Sequence, residues 1–270
     1  MSGGSGVWGM INLIASEWYK LRKNDLFRIL CYFMIAVAFL FPLFIYWSFP
    51  KDGDGQITLT GMKLYVNSLT MNDFFLKISL GLLAGFFISG EYSSGVLKRT
   101  VSVGNHRWQI YMSKLAIYSL GVAIISILVP VLNIFIGSVM NGAGLLSEFG
   151  QPEGNSVPEY VLRTLGFTVL FAAAFASIAA YVAVILADNG KTIGFSIVFF
   201  LFVDQVLASL GNYVPLLKML YDISLFKLFR TAMEYRVDHG DLIWSAVMPI
   251  ATFAVFAVLG LNAFRRKEIK

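Results

Sequence analysis

The sequence contains one cysteine, Cys31, and two histidines in 270 residues. A single thiol builds no disulfide framework, and a His/Cys metal centre lacks its ligands, so no metal site is expected. Charge is scarce too. Asp, Glu, Lys and Arg make up 14% of the chain, against about 25% in an ordinary soluble domain. Apolar residues reach 57% and mean hydropathy is +0.72. So few charges cannot solvate so much apolar surface, which excludes a water-soluble enzyme, a disordered regulator or a coiled coil and leaves an integral membrane protein. Catalytic signatures are missing as well: HExxH, GxSxG and paired-cysteine metal spacings are all absent. Gly190-Lys191-Thr192 resembles a fragment of a phosphate loop, but that motif needs a glycine at 185, where Ile185 stands. No nucleotide site and no catalytic residue is expected. Met1–Gly6 reads as a flexible lead-in. It has no basic region of the kind that opens a signal peptide, and Ser2 stands where myristoylation needs a glycine.

What the chain does have is long apolar runs. A spanning helix needs about 20 such residues. Six runs qualify: Arg28–Phe49, Phe74–Gly90, Leu115–Val139, Val161–Ala187, Ile193–Leu210 and Ile243–Phe264. The expected fold is an all-α polytopic membrane protein, a single transmembrane domain over residues 1–270. Pro42, Pro130 and Pro249 lie inside spans and read as kinks. With the N-terminus in the cytoplasm, the inner side holds 13 of the 21 basic residues and five of the 16 acids. It is then +8 and the remainder −3, consistent with the overall +5. The basic balance is therefore a topology signal and a contact with anionic lipid, and nucleic acid is not needed to explain it. Both termini are expected inside, at the plasma membrane.

The segments between spans differ in character. Residues 7–24 read as an interfacial helix. Trp8, Ile11, Ile14, Trp18 and Leu21 form a stripe, with Glu17, Lys20 and Lys23 off it. It is either a plain anchor or, in addition, a contact for a cytoplasmic partner. The loop Glu91–Lys114 is basic. Ser93 or Ser94 can cap a short helix ending near Thr100 or Val101, and Gly104-Asn105 marks a turn. It reads either as a positive-inside loop or as a helix laid across the cytoplasmic mouth. Asn141–Tyr160 reads as a polar outside loop. In residues 211–241, Leu216, Leu220, Ile223, Phe226, Phe229 and Met233 form a helical stripe. One or two helices lying at the outer surface are expected there, dipping their apolar face into the outer leaflet. A seventh span would have to bury several charges at roughly 2.5–3.5 kcal/mol for each central one.

Asp204 is the one acid deep inside an expected span, roughly 10 Å below its outer end at about 1.5 Å per residue. Lys77 lies at a similar depth, which makes the two a candidate buried pair. An intramembrane carboxylate is a functional-site hypothesis, with a structural polar lock between helices as the competing reading. Asn133 is a further intramembrane polar group, of a kind that more often joins helices than lines a pathway.

The stretch EYSSGVLKRTVSVGNHRWQIYMSKL carries a resemblance. It is similar to a loop of the type-two ABC exporter permeases, of the form E-x-x-x-G, two apolar residues, K/R, then S-x-x-x-x-R-x-x-(apolar)-x-x-x-K. Glu91, Gly95, Lys98 or Arg99, Ser102, Arg107 and Lys114 match it, while Val96 stands where many members have Thr. The loop's wording is closest to permeases of Gram-positive bacteria serving antimicrobial-peptide, lantibiotic-immunity or bacitracin resistance.

The resemblance implies a permease subunit, not an enzyme. A separate ATPase subunit, in two copies, would bind ATP and Mg, with no cofactor on this chain. A second permease chain, identical or a paralogue, would complete a pathway for a hydrophobic or amphipathic substrate, whether peptide, lipid or drug. The coupling helix would lie around Ser93–Val101, with Lys98, Arg99, Thr100 and Arg107 toward the ATPase and Glu91 orienting the loop. The N-terminal helix would flank that contact. A stand-alone ion- or proton-coupled carrier or channel using Asp204 is the alternative.

Overall fold

A computed structural model describes residues 5–48, 61–102, 104–141, 157–235 and 237–267. Every regular element among them is helical. In chain order they are α1 (Ser5–Lys23), α2 (Asp25–Ser48), α3 (Gly61–Leu83), α4 (Gly90–Ser93), α5 (Val96–Ser102), α6 (Arg107–Asn141), α7 (Val157–Leu186), α8 (Asn189–Gly211), α9 (Pro215–Asp222), α10 (Leu225–Met233) and α11 (His239–Arg266). A π-helical segment, Ala84–Ser89, joins α3 to α4. Six helices are long and apolar enough to cross a membrane: Asp25–Ile45, Leu64–Ser93, Arg107–Val139, Pro158–Leu186, Asn189–Gly211 and His239–Arg266. With six crossings, the first and last described residues share one end of the bundle. That near end carries residues 23–25, the segment 90–107 and residues 187–189. The far end carries α9 and α10.

Three spans make the core. The crossing windows of α3, α6 and α7 are 61%, 61% and 56% buried, against 17% for both α8 and α11. The central residues are small or aromatic: Ala172, Ala176, Ala179, Ala180 and Ala183 of α7 are fully buried beside Phe171 and Phe175. Small residues let backbones approach closely where lipid supplies no hydrophobic drive between helices. Gly81 of α3 and Gly85 of the π segment do this toward α8. A Cβ on Gly85 would clash with Ile193 Cγ1, and one on Gly81 would sit 3.0 Å from Ile197 Cγ1.

The second span starts well before the expected Phe74, because α3 runs from Gly61. Its polar residues lower the hydropathy, but most of their polar groups find partners inside the protein, the Asn72 Oδ1 excepted. Asn72 is buried and donates to the Ser126 carbonyl at 2.6 Å, and Asp73 accepts from Lys77 at 2.6 Å. The outer-surface expectation for residues 211–241 holds only in part. Leu216, Met219 and Leu220 of α9 are exposed. In α10, however, Leu225, Phe226, Leu228, Phe229 and Ala232 are buried in the bundle. Phe229 lies 5.3 Å from the Phe171 ring and Phe226 5.4 Å from the Phe175 ring. At 8 and 9 residues neither helix spans a membrane. Ile223 and Ser224 join them into a helix–turn–helix segment whose second helix packs into the bundle. The Trp8 side chain, Met1–Gly4 and most of the Asn141–Tyr160 loop lie outside the described residues.

Candidate functional site

At the near end, the segment from Glu91 to Lys114 folds as an elbow. Gly95, at φ +69°, turns the chain between α4 and α5, and Gly104, at φ +93°, turns it again before α6. Side chains with a Cβ disfavour that backbone region by roughly 1–2 kcal/mol. Leu97, 1% exposed, pins α5 to the bundle. Lys98, Arg99 and Ser102 are exposed, as is Ser93. Ser93 Oγ donates to the Gly90 carbonyl and Thr100 Oγ1 to the Val96 carbonyl, so both tidy local backbone. The free face of α5 is therefore cationic.

Glu91 and Lys114, the two ends of the elbow, belong to a closed ring of four charges. Glu17 accepts from Lys20 at 2.6 Å and from Lys114 at 2.7 Å; Glu91 accepts from the same lysines at 3.0 and 2.9 Å. Glu17 and Lys114 are 2% and 4% exposed, and the Lys114 ammonium sits 4.7 Å over the Phe87 ring. Burial pushes the Glu17 carboxyl up, but the Lys114 and Lys20 ammoniums outweigh it and hold the group below its ordinary range. Burial lowers Lys20, and Glu17 and Glu91 outweigh that, raising it. The ring joins α1, α4 and α6. Sequence periodicity placed Glu17 on the polar side of α1. The helix instead buries the ridge Leu13, Glu17 and Leu21, spaced by four, while Ile11 of the expected stripe is 52% exposed. That spacing was the available signal.

Arg107 and Lys114, grouped above with the coupling residues, are engaged inside the chain. Arg107 Nη1 donates to the Arg265 and Lys267 carbonyls at 2.8 and 3.1 Å, closing the end of α11. Lys267 in turn donates to the Val184 and Ile185 carbonyls at the end of α7. Cations over helix C-termini satisfy orphan carbonyls and the dipole together. Desolvation pushes the Lys267 pKa down. Ser89 Oγ lies 2.7 Å from Thr192 Oγ1 and donates to the Ala183 carbonyl, tying the π segment to α7 and α8. Lys23 is exposed. Trp18 packs partly buried against the core.

The far end holds a second cluster. Lys77 Nζ is 3.3 Å from Asp204 Oδ2 and 2.6 Å from Asp73 Oδ2, and Asp204 Oδ2 also accepts from Arg230 Nη2. The structure thus brings Lys77 and Asp204 together and adds Asp73 and Arg230. Asp73 was visible as an i,i+4 partner of Lys77; Arg230 was not, because nothing local signals that α10 turns back into the bundle. Asn133 is fully buried and donates to Val129 of its own helix, without a cross-helix partner among the described residues. It therefore neither joins two helices nor sits with Asp204.

Comparison with known proteins adds one match. The family described as ABC-2 family transporter protein matches residues 13–205, from α1 through most of α8 and across the whole elbow. A search of curated proteins finds no match. The matched stretch covers well over half of the chain, so the protein belongs to the ABC-2 transporter family and is a multi-pass membrane permease subunit of an ABC exporter, a membership that implies an ABC ATPase partner.

Proposed function

We propose that the protein is one of two permease chains of an exporter for a hydrophobic or amphipathic substrate, of the class of antimicrobial peptides, lipids or drugs. Two copies of a separate ATPase would drive it by pressing on α5 from the cytoplasm. The observation that carries this reading is the elbow. α5 presents Lys98 and Arg99 outward while Leu97 buries its inner face, and the charge ring ties the neighbouring α4 to α1 and α6. A short helix packed on the bundle beside so braced a segment transmits rigid-body motion, whereas a flexible loop would absorb it. The excess of basic residues at the near end supports placing that end in the cytoplasm. The lightly buried α8 and α11 leave apolar faces for lipid and for a second permease, identical or paralogous.

The test replaces Lys98 and Arg99 by Glu in the assembled transporter. Transport should fall about tenfold or more, as expected when charged pairs across an interface become like-charge contacts, with the helix content and thermal midpoint of the permease unchanged. Full transport by the double variant removes the elbow from the mechanism.

A further inference from the structure

Between α3 and α10, at the far end, lies a cleft of about 390 Å³. Leu69, Phe229 and Met233 give it an apolar lining, and Asp73, Arg230 and Glu234 stand on its walls. The volume suits a small ligand or one or two side chains. Charge around it is uneven. Its lining carries two carboxylates, Asp73 and Glu234, against one guanidinium, Arg230, while Lys77 pairs with Asp73 from within the bundle and Arg163 donates to the Glu234 and Tyr235 carbonyls. Asp204 is 2% exposed, yet only its Oδ2 is engaged; Oδ1 has no hydrogen-bond partner. Arg230 is the reverse case. Its side chain is 53% exposed while its guanidinium reaches that buried carboxylate. A resident cation on a partly apolar helix already fills the position, and half of it remains open to replacement.

We propose that this cleft is a binding subsite for the cationic group, ammonium or guanidinium, of an amphipathic molecule. The incoming cation pairs with Asp73 and Glu234, and its apolar part lies on Leu69, Phe229 and Met233. In doing so it stands against Arg230, which shares the cleft wall, and loosens the one ion pair that joins α10 to α8 among the described residues. Calling the occupant a transported substrate rests on the exporter reading. The chemical preference for a cation does not.

Photolabelling of the full chain, alone in phosphatidylcholine nanodiscs, tests the preference. The probes are a benzophenone-bearing alkylamine and the alkyl sulfonate of the same chain length, with adducts mapped by mass spectrometry. The amine should label the segments 66–73 and 229–234 about tenfold more than the sulfonate does, the scale of a desolvated charge preference. Asp73→Asn with Glu234→Gln should abolish the preference. Arg230→Ala, or Arg230→Gln if the alanine variant is not monodisperse, should raise amine labelling severalfold by removing the competitor. Equal or greater labelling by the sulfonate, or loss of amine labelling in both Arg230 variants, overturns the proposal, as does labelling spread evenly over the lipid-facing helices. No ATPase or nucleotide enters the assay, so its failure leaves the exporter reading standing. A labelled cleft in a chain that engages no ATPase would sink the exporter reading alone.

Discussion

Glu17 shows how much one buried carboxylate can organise. It faces two lysines, and its removal leaves Lys114, 4% exposed, with Glu91 alone. Breaking one partner out of a buried pair costs about 3–5 kcal/mol, and less where a second partner remains. Glu17→Ala should therefore lower the thermal midpoint by several degrees, measured in detergent or nanodiscs, and Glu17→Gln by less. The pH dependence has a definite sign. The folded Glu17 pKa lies below its ordinary value, so its contribution is complete above about pH 4.3 and is lost as pH falls through the folded value. Lys20 is shifted up, so its contribution is complete below about pH 10.4 and is lost as pH rises through its folded value. Wild type should thus lose more stability than Glu17→Gln when acidified below about pH 4, and equal slopes would contradict the ring. At the far end, Asp204→Asn should cost roughly 1–3 kcal/mol, since Asp73 still holds Lys77. Exchanging the charges, Lys77→Asp with Asp204→Lys, should recover part of what each single change loses, and no recovery in thermal midpoint would argue against pairing.

At the scale of elements, two junctions decide where motion is permitted. The π segment Ala84–Ser89 ends at the elbow, with the Gly90 amide donating to the Gly85 carbonyl five residues back. Such segments break helix regularity and recur at functional sites. Gly85 lets Ile193 of α8 approach the π segment, so Gly85→Val should push that segment from α8 and destabilise the bundle by roughly 1–3 kcal/mol, the range for overpacking. A thermal midpoint equal to wild type would mean that the seam relaxes. Gly95→Ala should instead strain the turn into α5 by roughly 1–2 kcal/mol and show up in coupling before stability. The spans and the turns of the elbow were legible in the sequence because each is written locally, as an apolar run or a turn glycine; the capping serine was not, since Ser93 ends α4, Ser94 follows as its C-cap, and α5 begins at Val96 after Gly95. The early start of α3 was not. Asn72 and Asp73 read as span breakers until Ser126 and Lys77 are seen beside them. Nor was the burial of α10. Its stripe is plain, but a stripe tells how a helix is faced and not whether lipid, or Phe171 and Phe175, meets that face.

Across the whole molecule the two charge clusters lie at opposite ends of the bundle and on different helices. The ring holds α1, α4 and α6 at the near end, and the Asp73–Lys77–Asp204–Arg230 chain holds α3, α8 and α10 at the far end. α3 runs from the far cluster through the π segment into α4, so a push at α5, passed across the Gly95 turn, meets a helical rod that bears Lys77 and, through Asp204, reaches Arg230 of α10. The account depends on that push coming from an ATPase on the cytoplasmic side. A photo-crosslinking residue in place of Arg99, in intact cells that transport, tests this most directly. The account predicts a covalent adduct with an ABC ATPase and no reaction of a cysteine at the same position with a membrane-impermeant thiol reagent added outside. Labelling from outside, or active transport with no ATPase adduct at that position, would contradict it.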